Sequence, residues 1–105
     1  MLRIYDVVLE VVREMRPLVE AIERRDSDLA RQMRRALTSV PLNVAEGSYS
    51  RGKNRGARYQ TAVGSMQETL ACLDTADALG YIKSVGIALI EKSKRVIGTL
   101  VKNMR

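Results

Sequence analysis

Apolar residues recur at steps of three and four along most of this chain, which is the spacing that places them on one face of an α-helix. Four stretches show the pattern, separated by polar segments. In the first stretch the stripe consists of Tyr5, Val8, Val12, Met15, Val19 and Ile22. The pattern predicts helices at about residues 2–25, 28–47, 54–79 and 84–104. The expected fold is an all-α, antiparallel up-down-up-down four-helix bundle that makes up a single domain, residues 1–105.

The ends of the predicted helices depend on a few residues with strong local preferences. Gly47 is predicted to end the second helix in the left-handed conformation, and Gly80 to end the third. Ser84 is a suitable cap for the fourth helix. Residues 48–56 are rich in Gly, Ser and basic side chains. They are predicted to form the one loop of appreciable length, with short links after the first and third helices.

Two prolines lie inside predicted helices, where each removes one backbone hydrogen bond. The apolar spacing runs through Pro17 without a break, so we expect a kinked helix at this point. The spacing also crosses Pro41, although a helix that ends there is the alternative.

The first predicted helix has a wider apolar face than one bundle interior usually requires. A second stripe lies beside the first and consists of Ile4, Val7, Val11 and Leu18. Because surplus apolar surface is often covered by another protein chain, this width indicates oligomerisation.

Composition argues against catalysis. The chain has no histidine, which removes the commonest general base and the commonest metal ligand. Cys72 is the only cysteine, so neither an internal disulfide nor a cysteine-based zinc site is expected. We predict no enzymatic activity, no metal and no cofactor. No apolar run is long enough to span a membrane and no signal peptide is evident, so a soluble, cytoplasmic protein is expected.

Positive charge is concentrated in two parts of the chain. Residues 31–58 carry seven basic side chains against Glu46 alone, a sum of +6, and residues 83–105 sum to +5. Such zones suit a phosphate backbone or an acidic protein partner. The predicted nucleic-acid-binding residues are Arg31, Arg51, Lys53, Arg55 and Arg58. A solvated basic loop is the alternative, and Tyr59 lies on the apolar stripe, which favours a place in the core over base stacking.

Polar residues follow one side of the second helix in an otherwise apolar setting. This polar ladder consists of Arg34, Arg35, Ser39, Asn43 and Glu46, with Glu68 on the third helix. In the structural interpretation, Ser39 and Asn43 take up carbonyls freed by Pro41, and Arg34 or Arg35 pairs with Glu46 or Glu68. In the functional interpretation, the ladder lines a groove or pore for a ligand.

The second helix, the loop and the third helix resemble a known family. The residues that carry the resemblance are Leu29, Gln32, Arg34, Arg35, Ala36, Ser39, Val40, Asn43, Val44, Ala45, Glu46, Gly47, Gly64, Ser65, Glu68, Leu79, Gly80, Tyr81 and Ile82. They are similar to the bacterial four-helix bundle family of ribosomal S23 or 23S rRNA intervening-sequence proteins. The resemblance implies a left-handed antiparallel bundle, assembly into a homopentamer and a link to RNA.

Two functions from different classes compete. The leading hypothesis is a non-enzymatic oligomeric bundle that binds nucleic acid, with RNA favoured, through sequence-independent contacts of its basic surface. The alternative is a protein-interaction adaptor whose basic face binds an acidic partner, such as a co-encoded reverse transcriptase or another enzyme. The resemblance contributes to this alternative, because related accessory proteins pair with a reverse transcriptase. A small enzyme is the third reading, which the missing histidine disfavours.

Overall fold

The computed structural model describes residues 3–104, and this part of the chain contains four α-helices and no strand. They are α1 (Arg3–Glu23), α2 (Ser27–Ser48), α3 (Gly52–Ala78) and α4 (Ile87–Lys102). The all-α prediction is confirmed. Residue 2, the predicted start of the first helix, lies outside the described residues. None of the four helices is both long and apolar enough to cross a membrane.

The four helices pack around one apolar core that all of them contribute to. The largest fully buried side chains include Met15, Ile22, Met33, Met66, Leu73 and Leu100. Unbranched methionines fill the spaces that a core without Phe and Trp leaves open, since their flexible thioether adapts to irregular gaps. Tyr59 is buried, as predicted, and so is Cys72.

Helices α2 and α3 run antiparallel along their length. Ser39 contacts Ser65 and Ser48 contacts Tyr59, so residues later in α2 meet residues earlier in α3. Helix α1 packs against α2 and α4, and α3 packs against α4. The first turns of α1 and α3 therefore lie beside the last turn of α4, where Ile4, Tyr59 and Leu100 line one cleft.

The predicted loop at residues 48–56 is wrong. Helix α2 extends to Ser48 and α3 begins at Gly52, so only residues 49–51 separate them. Gly52 adopts φ +59°, a left-handed conformation that lets the chain reverse within three residues. The preceding Tyr49 N–H and Ser50 Oγ donate to carbonyls of the last turn of α2, which closes that helix end.

The link after α3 is longer than predicted. Residues 79–86 form the longest non-helical segment between residues 3 and 104. Gly80 at φ +76° ends α3 as predicted. Tyr81 and Ile82 follow in a bend and pack against the core before α4 begins. Gly86, and not Ser84, is the residue that precedes the first turn of α4.

Gly47 does not end α2 in the left-handed conformation. It is a buried helical residue, and a Cβ atom placed there would lie 2.5 Å from Cδ1 of the Tyr59 ring. The glycine is therefore required for the close approach of α3 and not for a turn. Both prolines lie within continuous helices, as the apolar spacing indicated, and the kink at Pro17 stays a prediction.

The wide apolar face of α1 is used within the chain itself. Val11 is fully buried, and Ile4, Val7 and Leu18 are half-buried against the same core. Because both stripes pack internally, the width of this face gives no separate argument for oligomerisation.

Candidate nucleic-acid interface

Four of the five predicted nucleic-acid-binding residues lie together where α2 ends and α3 begins. Arg51 precedes α3, and Lys53, Arg55 and Arg58 follow in its first two turns. The short turn at Gly52 brings these four cations to one end of the molecule. Arg31 lies near the start of α2, roughly 25 Å along the helix axis from this end, so the structure does not bring it to the same site.

Arg55 is held in place by the backbone of the neighbouring helix. Its Nε donates to the carbonyl oxygen of Gly47 at 3.3 Å, and the residue is half-buried. One hydrogen bond on Nε leaves the two terminal nitrogens of the guanidinium for a ligand. Because the side chain is already ordered, it loses less conformational entropy when it binds than a free arginine does.

The guanidinium of Arg58 already has partners within the chain. Its guanidinium forms an ion pair with Glu46 at 3.0 Å and approaches Oδ1 of Asn43 at 3.5 Å. Both members of the ion pair are more than half exposed, so the pair adds little to stability, yet it offsets the arginine charge. Arg58 therefore connects α2 to α3 and has less charge to offer a phosphate than Arg55.

Arg51 and Lys53 are exposed, and within residues 3–104 neither forms an ion pair. They flank the start of α3, whose first backbone N–H groups receive no side-chain cap from Arg51. The free N–H groups give this helix end a partial positive charge that adds to the two side chains.

A cleft of about 340 Å³ opens beside Arg55. It is lined by Arg3, Ile4, Ser48, Arg55, Tyr59, Thr99, Leu100 and Asn103. The sequence pattern did not indicate Arg3, because Arg3 lies about fifty positions before Arg55 and reaches the cleft only through the packing of α1 against α4. We call the set Arg3, Arg51, Lys53 and Arg55 the basic end.

Two residues of the polar ladder, Ser39 and Asn43, form a hydrogen-bonded network that includes Ser65 of α3. Ser39 Oγ accepts from Ser65 Oγ at 2.8 Å and from Asn43 Nδ2 at 3.0 Å. Asn43 also donates to the carbonyl of Ser39. The carbonyl that loses its donor at Pro41 belongs to Leu37, four residues earlier, so Ser39 and Asn43 do not take it up as predicted. They join the two helices instead.

The predicted ion pairs of the ladder are wrong. Arg34 pairs with Glu23 on α1 at 2.6 Å, and Glu46 pairs with Arg58. The hydrogen bond from Arg34 is the main reason that the pKa of Glu23 lies below its usual value. Within the described residues, Arg35 and Glu68 form no ion pair. Sequence spacing showed that these charges needed partners but not which helix supplied them.

Arg35 and Glu68 instead line a groove of about 660 Å³ between α2 and α3. Its lining consists of Asp28, Arg31, Gln32, Arg35, Ala36, Ser39, Ser65 and Glu68. Arg31, predicted to bind nucleic acid, therefore belongs to this groove and not to the basic end.

The chemistry of the described residues offers little to a metal or to a nucleophilic reaction. Residues 3–104 contain no group of three acidic or cysteine side chains that could hold a metal ion. Burial, together with the charge of Glu68, raises the pKa of the Cys72 thiol. The thiol is therefore protonated at neutral pH and is a poor nucleophile.

Four packed helices and a surface of separate charged sites define the class: a small, basic, helical-bundle protein. A family model described as 23S rRNA-intervening sequence protein matches residues 1–102. The chain belongs to the 23S rRNA-intervening sequence protein family, as the sequence resemblance indicated. Comparisons with curated proteins and with solved structures gave no match.

Proposed function

We propose that this protein is a non-enzymatic, oligomeric helical bundle that binds nucleic acid, with RNA favoured, through the basic end. The observation that carries the proposal is Arg55, whose guanidinium is oriented by Gly47 at a cleft that Arg3 also lines. The name of the family, which refers to a 23S rRNA intervening sequence, supports RNA over DNA.

The contacts of the basic end suit phosphate groups and not particular bases. Arginine matches a phosphate with two parallel N–H donors, and the exposed cations Arg51 and Lys53 add attraction without fixed geometry. Arg58 and Arg31, which the sequence pattern placed in the same set, take no direct part in this proposal: the first is paired with Glu46 and the second lies in another groove.

The proposal includes the arrangement and assembly of the bundle. The reversed order of contacts between α2 and α3 supports an up-down-up-down order of the four helices. Family resemblance supports a homopentamer. The single free cysteine, Cys72, fits a reducing cytoplasmic location.

The test compares two arginines that lie in adjacent turns of α3. Arg55→Gln and Arg58→Gln remove the same charge, and binding of a single-stranded RNA is measured by fluorescence anisotropy over a series of salt concentrations. Each phosphate contact of a single strand contributes a slope of about −0.7 in the logarithm of affinity against the logarithm of salt. We expect Arg55→Gln to weaken binding and to reduce the slope by about 0.7. Arg58→Gln should have the smaller effect. Equal effects of the two variants, or binding that salt does not weaken, would contradict the proposal.

An acidic protein partner, such as a co-encoded reverse transcriptase or another enzyme, is the second candidate. The observation that favours it is Tyr49, which is 77% exposed in the turn next to Arg51. Leu42, about two helical turns earlier on α2, is 61% exposed. A protein interface buries such apolar side chains, whereas contacts to a phosphate backbone do not need them. The test is capture of a partner after nuclease treatment. One protein partner that binds the wild-type chain but not Tyr49→Ser would favour this candidate over nucleic acid.

A further inference from the structure

The groove between α2 and α3 holds opposite charges that face each other without pairing. Ser39 contacts Ser65 at 2.8 Å, which fixes the register of the two antiparallel helices. Arg35 lies one turn before Ser39 on α2, and Glu68 lies three residues after Ser65 on α3. The two charges therefore stand at the same level on opposite walls of the groove, and both are exposed to it.

A second guanidinium is available on the same wall as Arg35. Arg31 lies one helical turn earlier, and its contact with Asp28 is long, at 3.6 Å. Both members of that pair are at least 70% exposed, so water and ions compete with it effectively. Two arginines at i and i+4 can therefore hold one anion between them.

Ser39 offers a further donor to the same region. Its Oγ already accepts two hydrogen bonds, from Ser65 and from Asn43. A hydroxyl has two acceptor positions and one hydrogen, so only its hydrogen is left. Among the hydrogen bonds within residues 3–104, this hydrogen has no acceptor. The upper part of the α2 wall thus presents the donors of Arg31, Arg35 and Ser39, although Asp28 and Gln32 on the same helix also carry acceptor oxygens. Glu68 on the opposite wall presents acceptors only.

We propose that this groove binds a guanine nucleotide, with its phosphate on Arg31 and Arg35 and the edge of its base on Glu68. A ligand that contacts both arginines and Glu68 carries an anion at one side and N–H donors at the other. Guanine presents a ring N–H and an amino group side by side, which matches the two oxygens of a carboxylate. Adenine and cytosine place an acceptor beside their amino group, and uracil has a single N–H between two carbonyls. Each of these three bases would therefore set an acceptor atom against one of the two carboxylate oxygens.

The groove is a site separate from the basic end, and the inference does not depend on the proposed function. Its volume of about 660 Å³ lies within the range of small-molecule sites. The nucleotide can be free in solution or an unstacked guanosine within a single strand, because both present the same phosphate and the same base edge.

The ligand itself provides the first test, which needs no variant. Binding to the full chain is measured by isothermal titration calorimetry with guanosine monophosphate, inosine monophosphate, uridine monophosphate and unphosphorylated guanosine. We expect guanosine monophosphate to bind at least about tenfold more tightly than each of the others, since each lacks one charge-assisted contact. Inosine is decisive because it lacks only the amino group. Equal affinities for the guanosine and inosine nucleotides, or no binding at millimolar nucleotide, would overturn the proposal.

Variants then test which wall contacts the base and which contacts the phosphate. Glu68→Gln should remove the preference for guanosine over inosine monophosphate, and Arg35→Gln should remove the advantage of the nucleotide over guanosine. Far-UV circular dichroism checks that both variants keep their helices. A preference that survives in Glu68→Gln would overturn the assignment of the base edge.

A matched variant at the other site separates this proposal from the proposed function. The combination Arg51→Gln and Lys53→Gln should leave nucleotide affinity unchanged while it weakens RNA binding. The source of the guanine is tested with a short single strand that contains one guanosine and with its inosine counterpart. Discrimination between the two strands would show that the groove also accepts a nucleotide within a chain, and discrimination between free nucleotides alone would restrict it to free nucleotides. Loss of nucleotide binding in the basic-end variant would contradict a separate site.

Discussion

Substitution of Gly47 by alanine tests the closest approach between two helices in this protein. In an open helical position, glycine to alanine stabilises a protein by about 1 kcal/mol, because alanine loses less backbone entropy on folding. At Gly47 the added Cβ would lie 2.5 Å from Cδ1 of Tyr59, which is buried in the core. The ring is rigid and cannot move aside without displacing its neighbours. Overpacking of this kind costs about 1–3 kcal/mol.

The expected net effect follows from these two opposing contributions. We place the steric cost near the upper limit, since two ring carbons and Cβ of Arg58 all crowd the position. Gly47→Ala should then destabilise the fold by about 2 kcal/mol. For a chain of this size that corresponds to a melting temperature roughly 10 °C lower.

Two other helical glycines provide matched controls. A Cβ atom at Gly64 or at Gly98 meets nothing within 4 Å. Alanine at either position should stabilise the fold by about 1 kcal/mol. Urea denaturation followed by circular dichroism, at one protein concentration for all variants, measures the difference between positions. Equal concentrations matter because the proposed assembly into an oligomer would make apparent stability depend on concentration.

A double variant isolates the contact itself. Tyr59→Leu removes the ring, so the combination with Gly47→Ala should be less destabilised than the sum of the two single variants. A Gly47→Ala variant that melts at or above the wild-type temperature would refute the reasoning. Strict additivity with Tyr59→Leu would place the cause of the instability elsewhere.

Three further predictions concern charge and backbone. Arg34 lowers the pKa of Glu23, so the pair stabilises the fold above the unfolded pKa of the carboxyl and stops doing so as pH falls through the folded pKa. Wild type should therefore exceed Glu23→Gln in urea stability at neutral pH, and the difference should shrink as pH falls through the folded pKa of Glu23. A difference that does not shrink with falling pH would contradict this. The hydrogen bond from Lys92 to Glu14 raises the lysine pKa, so Lys92→Met should lower the melting temperature at neutral pH. The difference in melting temperature should disappear above the folded pKa of Lys92. A difference that persists there would exclude the ion pair as its cause. Gly80 adopts φ +76°, so Gly80→Ala should lose about 1 kcal/mol in the same urea assay, and an unchanged midpoint would show that the turn can relax.

The helices themselves were predictable because their signal is local. The backbone hydrogen bonds of α2 (Ser27–Ser48) join residues four positions apart, except that Pro41 has no N–H to donate, and the apolar steps across Pro41 report on one helix face. The N-terminal cap of α2 is equally local, since the short side chain of Asp26 accepts from the N–H of Leu29 at 3.0 Å. No distant residue is needed for either inference.

The ends of the helices were less predictable because they depend on what packs nearby. Residues 52 and 53 look like loop in the sequence, yet they join α3 once Gly52 makes the turn. Ser84 is a better cap than Gly86 by residue type alone. The packing of Tyr81 and Ile82 against the core delays the start of α4, and this contact joins segments that the local pattern treats separately.

The candidate sites were also predictable only in part. The sequence showed that cations accumulate between residues 31 and 58 and that Ser39, Asn43 and Glu68 carry polar groups on packed helices. It could not show that Arg55 is oriented by Gly47 while Arg58 is neutralised by Glu46. Long charged side chains reach several partners of equal chemical merit, so only the positions of the neighbouring helices decide between them.

By itself, the sequence determined the number of helices, the apolar stripes that supply the core and the family to which the chain belongs, because side-chain period and residue identity are properties of the chain alone. Only the tertiary structure decided which charges are paired, that Arg3 joins the basic end and that Arg35 faces Glu68 across a groove. Those features depend on distances between residues that are far apart in the sequence, and such distances exist only after the helices have packed.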